Sequence, residues 1–201
     1  RPARRQVSKP LGPQRGSDKP AGTYNIWYGK YEGERTNSRT LEKATSRCVP
    51  SRDSGKTKAS PHAPFCLPFA RGCCNKGPDC QFLHRIPTAA DAEQNERDCF
   101  GRERFRDERE DMDGVGSFEK ENKTLYVGRI QSPQNMDAVV RKHFAEWGEL
   151  QSVRTMEPRC VSFVSYRRRS NAEFAKEAMA GQALDHGEIL NVRWATEDPN
   201  P

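Results

Sequence analysis

The sequence reads as an α+β protein of two small modules, one a ferredoxin-like βαββαβ sandwich and the other a small irregular knot tied by a metal. Three observations carry that reading. Strand and helix periodicities succeed one another in the order βαββαβ after residue 121. Four cysteines and a histidine crowd into the nineteen positions CLPFARGCCNKGPDCQFLH, Cys66 to His84. Only 33% of the 201 residues are hydrophobic, too few for one large core but enough for two small ones.

The elements of residues 121–201 follow in order. Leu125-Tyr126-Val127, continuing through Gly128-Arg129-Ile130, alternates as a strand. Asn135 to Glu146 sets Val139, Val140 and Phe144, with Trp147 beyond, at helical spacing, and Gly148 ends the helix. Leu150 to Met156 and Arg159 to Tyr166 form two more strands, turned by Glu157-Pro158. Ser170-Asn171-Ala172-Glu173 has the spacing of a capping box and opens a helix whose apolar face is Phe174, Ala175, Ala178 and Met179. Ile189 to Trp194 closes the set. Alternation turns Leu125, Val127, Ser162, Val164 and Tyr166 toward the helices, and Tyr126 and Phe163 outward. On the last strand Leu190, Val192 and Trp194 face in, while Asn191 and Arg193 share the outer face.

In the cysteine-rich stretch two registers compete. Cys66, Cys74, Cys80 and His84 give C-x7-C-x5-C-x3-H, and Cys73 in place of Cys74 gives C-x6-C-x6-C-x3-H. Zinc takes four such ligands at about 2.0–2.3 Å in a tetrahedron, and Gly72, Gly77 and Pro78 supply the turns that let the chain fold back. The first register is preferred, which leaves Cys73 as a spare thiol. Disulfides are the alternative, but seven cysteines at 48, 66, 73, 74, 80, 99 and 160 are odd in number and unevenly spread, and no hydrophobic signal or membrane-spanning run accompanies them. Four protein ligands close the site to water, so the metal, Zn²⁺, is a scaffold and not a catalyst.

The remaining segments read more simply. Residues 1–20, rich in Pro, Gly and basic side chains, form a flexible basic arm without packing periodicity. Residues 21–90 hold the metal module, opened by YNIWYGKY, in which Trp27 is expected to pack while Tyr24, Tyr28 and Tyr31 remain open between packing and base stacking. SRDSGKTKAS, Ser51 to Ser60, is a basic loop and not a phosphate loop, because Pro50 stands where the first glycine is required. Residues 91–120 are a mixed-charge connector, which Cys99, Phe100 and Phe105 would anchor. Charge is asymmetric: 16 Lys/Arg against 6 Asp/Glu over residues 1–84, 7 against 11 over 85–120, and 11 against 11 over 121–201. The positive potential therefore surrounds the metal segment, as a surface that meets phosphates requires.

LYVGRI, Leu125 to Ile130, and RCVSFVSY, Arg159 to Tyr166, resemble the two signature peptides of an RNA recognition motif, or RRM. The resemblance implies bases stacked on Tyr126 and Phe163, at about 1–3 kcal/mol each; alternation sets Asn191 and Arg193 on the same face, and Arg167 and Arg168 of the Arg167-Arg168-Arg169 run stand where they could reach phosphates. Val161 and Cys160 depart from the octapeptide's aromatic and glycine positions, so one stacking platform of three is missing. The alternative for this module is an RRM fold that binds protein. The metal segment resembles CCCH zinc fingers, which read single-stranded RNA. Phe69, Phe82, Arg71 and Lys76 stand where such contacts form, although either phenylalanine could instead cover the metal.

Taken in order, YNIWYGKY, C-x7-C-x5-C-x3-H, DCFGRERFRDEREDM, GVGSF, TLYVGRI and NVRWATEDPNP resemble the fungal pre-mRNA splicing factors associated with the NineTeen complex, the second of the "complexed with Cef" proteins, whose animal counterpart joins a CCCH finger to an RRM. That resemblance implies a Torus-like unit around the finger and a nuclear, non-enzymatic spliceosome component. It further implies contact with U6 snRNA and a link from NineTeen-complex proteins to the catalytic RNA core. Two rival classes are a CCCH/RRM regulator of messenger RNA stability or translation, and a zinc-dependent ubiquitin ligase. The ligase would need about eight ligands for two zincs, which the four remaining cysteines do not supply.

Overall fold

The computed structural model describes residues 1–10, 24–25, 30–31, 42–131 and 134–196. Trp27 and Tyr28 lie outside these residues; around them β1 (Tyr24–Asn25) pairs antiparallel with β2 (Lys30–Tyr31). Among the described residues, the rest of the first module is loops with two single-turn α-helices, α1 (Pro50–Asp53) and α2 (Leu67–Ala70), each with proline in its first turn, where no amide donor is required, and a short 3-10 turn, Gly77–Asp79.

The expected flexible arm is corrected for residues 1–10. Ala3 is buried. Its amide donates to Lys56 O at 2.9 Å, and the amide of Gln6 donates to Cys74 O at 2.9 Å. The Gln6 side chain accepts from Cys74 N at 2.9 Å and donates to the Asp53 carboxylate and to Phe69 O, both at 3.2 Å. No apolar periodicity announces this segment because backbone and amide hydrogen bonds fasten it, not a hydrophobic stripe. Gly55 is the point of closest approach: a Cβ there would meet the Pro2 carbonyl and Ala3 nitrogen at 2.5 Å.

The second module has the predicted topology. β3 (Thr124–Gly128), α3 (Met136–Phe144), β4 (Leu150–Met156), β5 (Val161–Tyr166), α4 (Arg169–Met179) and β6 (Asn191–Trp194) build a four-stranded antiparallel sheet in the order β4-β5-β3-β6. Two strand ends differ from expectation. β3 stops at Gly128 because Arg129 turns to φ 64°, and β5 begins at Val161 because Glu157–Arg159 forms a 3-10 turn that leaves Cys160 at φ 54°. Gly148 ends the first helical segment as predicted. It sits at φ 147°, with the Asn171 side chain where a Cβ would lie.

The capping box is a second correction. α4 starts at Arg169 and receives no side-chain cap. Ser170 N and Oγ donate to Glu93 at 2.9 and 2.7 Å, and Glu173 binds Arg104 instead of reaching back. The box pattern fails because α4 is not a surface helix: all eleven of its residues are buried. Its apolar side packs on the sheet, and its polar side faces the first module and the connector.

Phe174 is where the two cores meet. Its ring lies 6.2 Å from Phe65, 6.3 Å from Phe69, 5.7 Å from Phe100 and 5.9 Å from Trp147, centroid to centroid. Edge and offset contacts of this kind add to the burial of large aromatic area. Phe100 thus anchors the connector as expected, whereas Phe105 remains 54% exposed and does not. A third seam runs past the end of α4, where Ala44 N donates to Gly181 O, Gln182 Nε2 to Ser46 O and Arg47 to Ala183 O.

Candidate metal centre and nucleic-acid interface

Backbone pairing brings the distant ligands of the cysteine-rich stretch together. Cys66 N donates to Leu83 O at 3.0 Å, and Gly55 N to His84 O at 3.1 Å. Cys66 caps α2, its sulfur accepting from Phe69 N at 3.4 Å. Gly72 at φ 77° turns the chain toward Cys74, and Gly77, at φ 54° in the Gly77–Asp79 turn, leads to Cys80. The ligand atoms of Cys66, Cys74, Cys80 and His84 all lie within 4.8 Å of one another, and all four residues are buried. Cys73 is not in this group. All seven cysteines are unbridged.

Three observations fit a metal here. The Cys66 and Cys80 sulfurs are 3.7 Å apart, close to the edge of about 3.8 Å that a tetrahedron with ligands at about 2.3 Å requires. Both ring nitrogens of His84 are buried with no hydrogen-bond partner, a cost that coordination removes. Hydrogen bonding between Cys66 and Cys74 holds the first thiol far above its usual range and draws the second down to about 3. Burial keeps Cys80 up as well. Three thiols in one dry pocket cannot all ionise unless a cation compensates them, and a divalent ion would let them do so.

The surroundings of the cluster divide the predicted RNA contacts. Phe69 is fully buried and stacks on the His84 ring at 4.6 Å, so of its two predicted roles the structure selects cover. Arg71, expected to face RNA, is corrected: it is 6% exposed and donates to the Glu177 carboxylate of α4 at 2.8 and 3.1 Å. Phe82 and Lys76 are on the surface.

On the sheet, antiparallel register aligns Arg154, Phe163, Tyr126 and Arg193 in one row across β4, β5, β3 and β6. Tyr126 and Phe163 are neighbours at 5.9 Å with planes inclined at 70°. The Tyr126 ring lies over Gly128, where a Cβ would come within 3.0 Å of ring atoms; glycine there lets the ring rest along the sheet as a platform. Arg193 is not open. It donates to the connector's Asp111 at 3.2 Å and Asp113 at 3.0 Å, and to Asn191 Oδ1 at 2.9 Å. Of the arginine run, Arg167 is exposed beside Glu149 at 3.0 Å and Arg168 is half-buried. Arg169 points inward, donating to Ser117 O. Arg154, exposed on the row, was not singled out in the sequence, although alternation read from β5 across to β4 would have found it.

Polar groups complete the joint between the modules. Glu177 takes Arg71 and Arg102, and Glu173 takes Arg104 together with Cys99 N at 2.9 Å. Burial raises the Glu173 carboxyl while Arg104 draws it back. With both partners almost wholly buried, removing either would strand the other's charge. Sequence reasoning missed this joint because helical charges are ordinarily a solvated face.

The fold and site define a class: an RRM sheet with an outward aromatic pair, joined through a buried seam to a Cys₃His cluster able to hold a metal. Residues 1–102 match the Torus domain family and residues 125–190 the RNA recognition motif, and the chain belongs to the Torus domain family. It is 51% identical to the pre-mRNA-splicing factor CWC2 of Pyricularia oryzae over 205 residues, covering all of this chain and 52% of that protein. It is 48% identical to the pre-mRNA-splicing factor cwf2 of Schizosaccharomyces pombe, covering 100% and 53%, and 48% identical to cwc2 of Dictyostelium discoideum, covering 100% and 39%. The chain thus spans about half the length of the curated relatives it matches.

Proposed function

We propose that this chain is the RNA-binding part of a non-enzymatic nuclear pre-mRNA splicing factor. In this reading it contacts U6 snRNA and links NineTeen-complex proteins to the catalytic RNA core, helping to hold that core in its active conformation. The observation that carries the reading is the joining of the Cys₃His module and the RRM in one body by a buried seam. Two modest binding surfaces held at fixed separation act on one folded RNA with a high effective concentration, which suits a structured small nuclear RNA better than a short unstructured message. Names of the relatives as pre-mRNA-splicing factors support the same assignment.

Zn²⁺ is the proposed metal, held by Cys66, Cys74, Cys80 and His84; it supplies cross-linking and charge compensation and no catalytic step. Tyr126 and Phe163 stack on bases, Asn191 lines their face, and Lys76, Phe82, Arg167 and Arg168 extend the contact to the finger surface and to phosphates.

The test is ultraviolet crosslinking of the zinc-bound chain to U6 stem-loop RNA and to an unrelated hairpin of equal length across a salt series. Preferential crosslinks to U6 at Tyr126, Phe163 and the finger are expected. Equal crosslinking to both hairpins, vanishing with salt, would reduce the chain to a basic tether.

A further inference from the structure

The four candidate ligands are closed off from solvent, none of them more than 3% exposed. A metal can therefore enter or leave only where part of the surrounding structure opens, and its parts are held by different forces. Toward α4 the enclosure is aromatic: Phe69 stacks on the His84 ring and itself packs against Phe174. Cys66 belongs to that side, as the cap of α2 and through its amide bond to Leu83 O. The loops of the other three ligands are backed by residues 1–6, RPARRQ, of which only Ala3 is fully buried. Gln6 N donates to Cys74 O and Cys74 N to Gln6 Oε1, each at 2.9 Å. Residues 1–4 fasten to residues 53–58: Ala3 N donates to Lys56 O and Lys56 N to Arg1 O at 2.9 Å, and Arg4 N to Asp53 O at 3.2 Å. Residues 53–58 in turn hold His84 and Cys80, Gly55 N donating to His84 O at 3.1 Å and Lys58 N to Cys80 O at 3.0 Å. The fit is close at Gly77 as well, where a Cβ would come within 3.1 Å of Arg5 N and 3.4 Å of Ala3 O.

We propose that residues 1–6 are the gate of the metal centre and Gln6 is its latch: metal enters and leaves when this strap lifts from Cys74 and from residues 53–58, while α2 and the aromatic side stay in place. A segment fastened by hydrogen bonds, with little apolar surface buried, opens locally long before the molecule unfolds, because water replaces each lost bond at small net cost. Parting Phe69 from His84 and Phe174 would instead expose aromatic area and open the joint between the two cores. Gln6 is the latch because one side chain ties two loops. It holds the backbone of Cys74, and its Nε2 donates at 3.2 Å to the Asp53 carboxylate, itself fully buried. Lifting the strap therefore removes the backing from Cys74 directly, and from Cys80 and His84 through residues 53–58. This rests on the reading of Cys66, Cys74, Cys80 and His84 as a zinc site.

The experiment loads the chain with zinc, mixes it with rising concentrations of the colorimetric chelator 4-(2-pyridylazo)resorcinol and follows zinc transfer by absorbance. The release rate is expected to rise with chelator and then reach a plateau set by opening of the strap. Gln6→Met keeps the reach of the side chain and removes its hydrogen bonds; it should still bind one equivalent of zinc and raise the plateau by about tenfold to hundredfold. Gly55→Ala, whose methyl would meet the Pro2 carbonyl at 2.5 Å, should unseat residues 1–4 and raise the plateau by an independent route. Hydrogen exchange of the zinc-loaded variants separates a gate from general destabilisation. The amides of Ala3, Gln6, Lys56 and Cys74 should exchange faster, and those of Cys66 and Ala70 at the parent rate. A release rate that climbs with chelator and never levels, or a plateau unchanged in either variant, would overturn the gate. Exchange at Cys66 and Ala70 accelerated as much as at Cys74 would do the same, since release would then follow unfolding of the module. Zinc uptake tells the two readings apart: a parent chain that binds no zinc removes the metal site and the gate with it, whereas one equivalent bound and released without a plateau removes only the gate.

Discussion

Cys73 and Cys74 are adjacent and chemically identical, and their difference lies in what holds the backbone around them. Gln6 clamps Cys74 through both its amide and its carbonyl, aiming that sulfur at Cys66, Cys80 and His84. Cys74→Ser should therefore abolish metal uptake and unfold the first module, since structural zinc in finger peptides lends about 10–16 kcal/mol that the proposed Zn²⁺ would supply here. Cys73→Ser should keep one equivalent of zinc, measured by metal content and by thermal melting. Phe174 has a similar weight at the junction of the cores. Phe174→Ala should cost about 3–5 kcal/mol, read from urea unfolding, and because its neighbours come from both modules the loss should move every probe together. The ligand set was legible in the sequence because metal spacing is local. Gln6 was not, since a lone glutamine in a Pro-rich segment carries no pattern.

At the scale of elements, α4 is the informative case. Its apolar face was readable from 3.6-residue periodicity, but its other face, Glu173, Lys176 and Glu177, looks like a solvated surface and is buried under the connector and the finger. The same property misled the capping-box reading: Ser170 and Glu173 have the right spacing, and tertiary partners outbid the local bond. The connector's carboxylates give a pH signature. Arg85 holds Asp91 down to about 2. For Asp113 burial acts to raise the carboxyl, but Lys176 and Arg193 outweigh it and keep it well below its usual range. Folded values below the unfolded one mean that the stability these groups lend is complete above about pH 4–5 and is lost as pH falls toward about 2. Asp113→Asn should accordingly melt below the wild type by a constant margin at neutral pH, and that margin should close on acidification. A margin independent of pH down to about 2 would rule out the carboxylate's charge as its source.

For the molecule as a whole, the seam across α4 makes the RRM and the metal module one structure instead of two beads on a string. Chelation of the metal should then be felt beyond the finger. Hydrogen exchange of the zinc-loaded chain is expected to show α4 protected along its length, and treatment with a chelator should speed exchange in α4 and in residues 42–48 while leaving the β3–β5 pairing protected. Unchanged α4 exchange after metal loss would show that the two modules fold independently.

What could be read from residue order alone was whatever depends on short range: the βαββαβ succession, from periods of two and 3.6, and the Cys₃His register, from ligand spacing and turn glycines. The outward placement of Tyr126 and Phe163 was also readable, because alternation along a strand admits only two faces. What needed the folded chain was whatever depends on residues far apart in sequence. Arg71 and Arg193 look like surface cations, and each is claimed by a carboxylate, Glu177 or Asp111 and Asp113, eighty or more positions away. A guanidinium's availability to RNA is set by the charges packed beside it, and local sequence does not encode that neighbourhood.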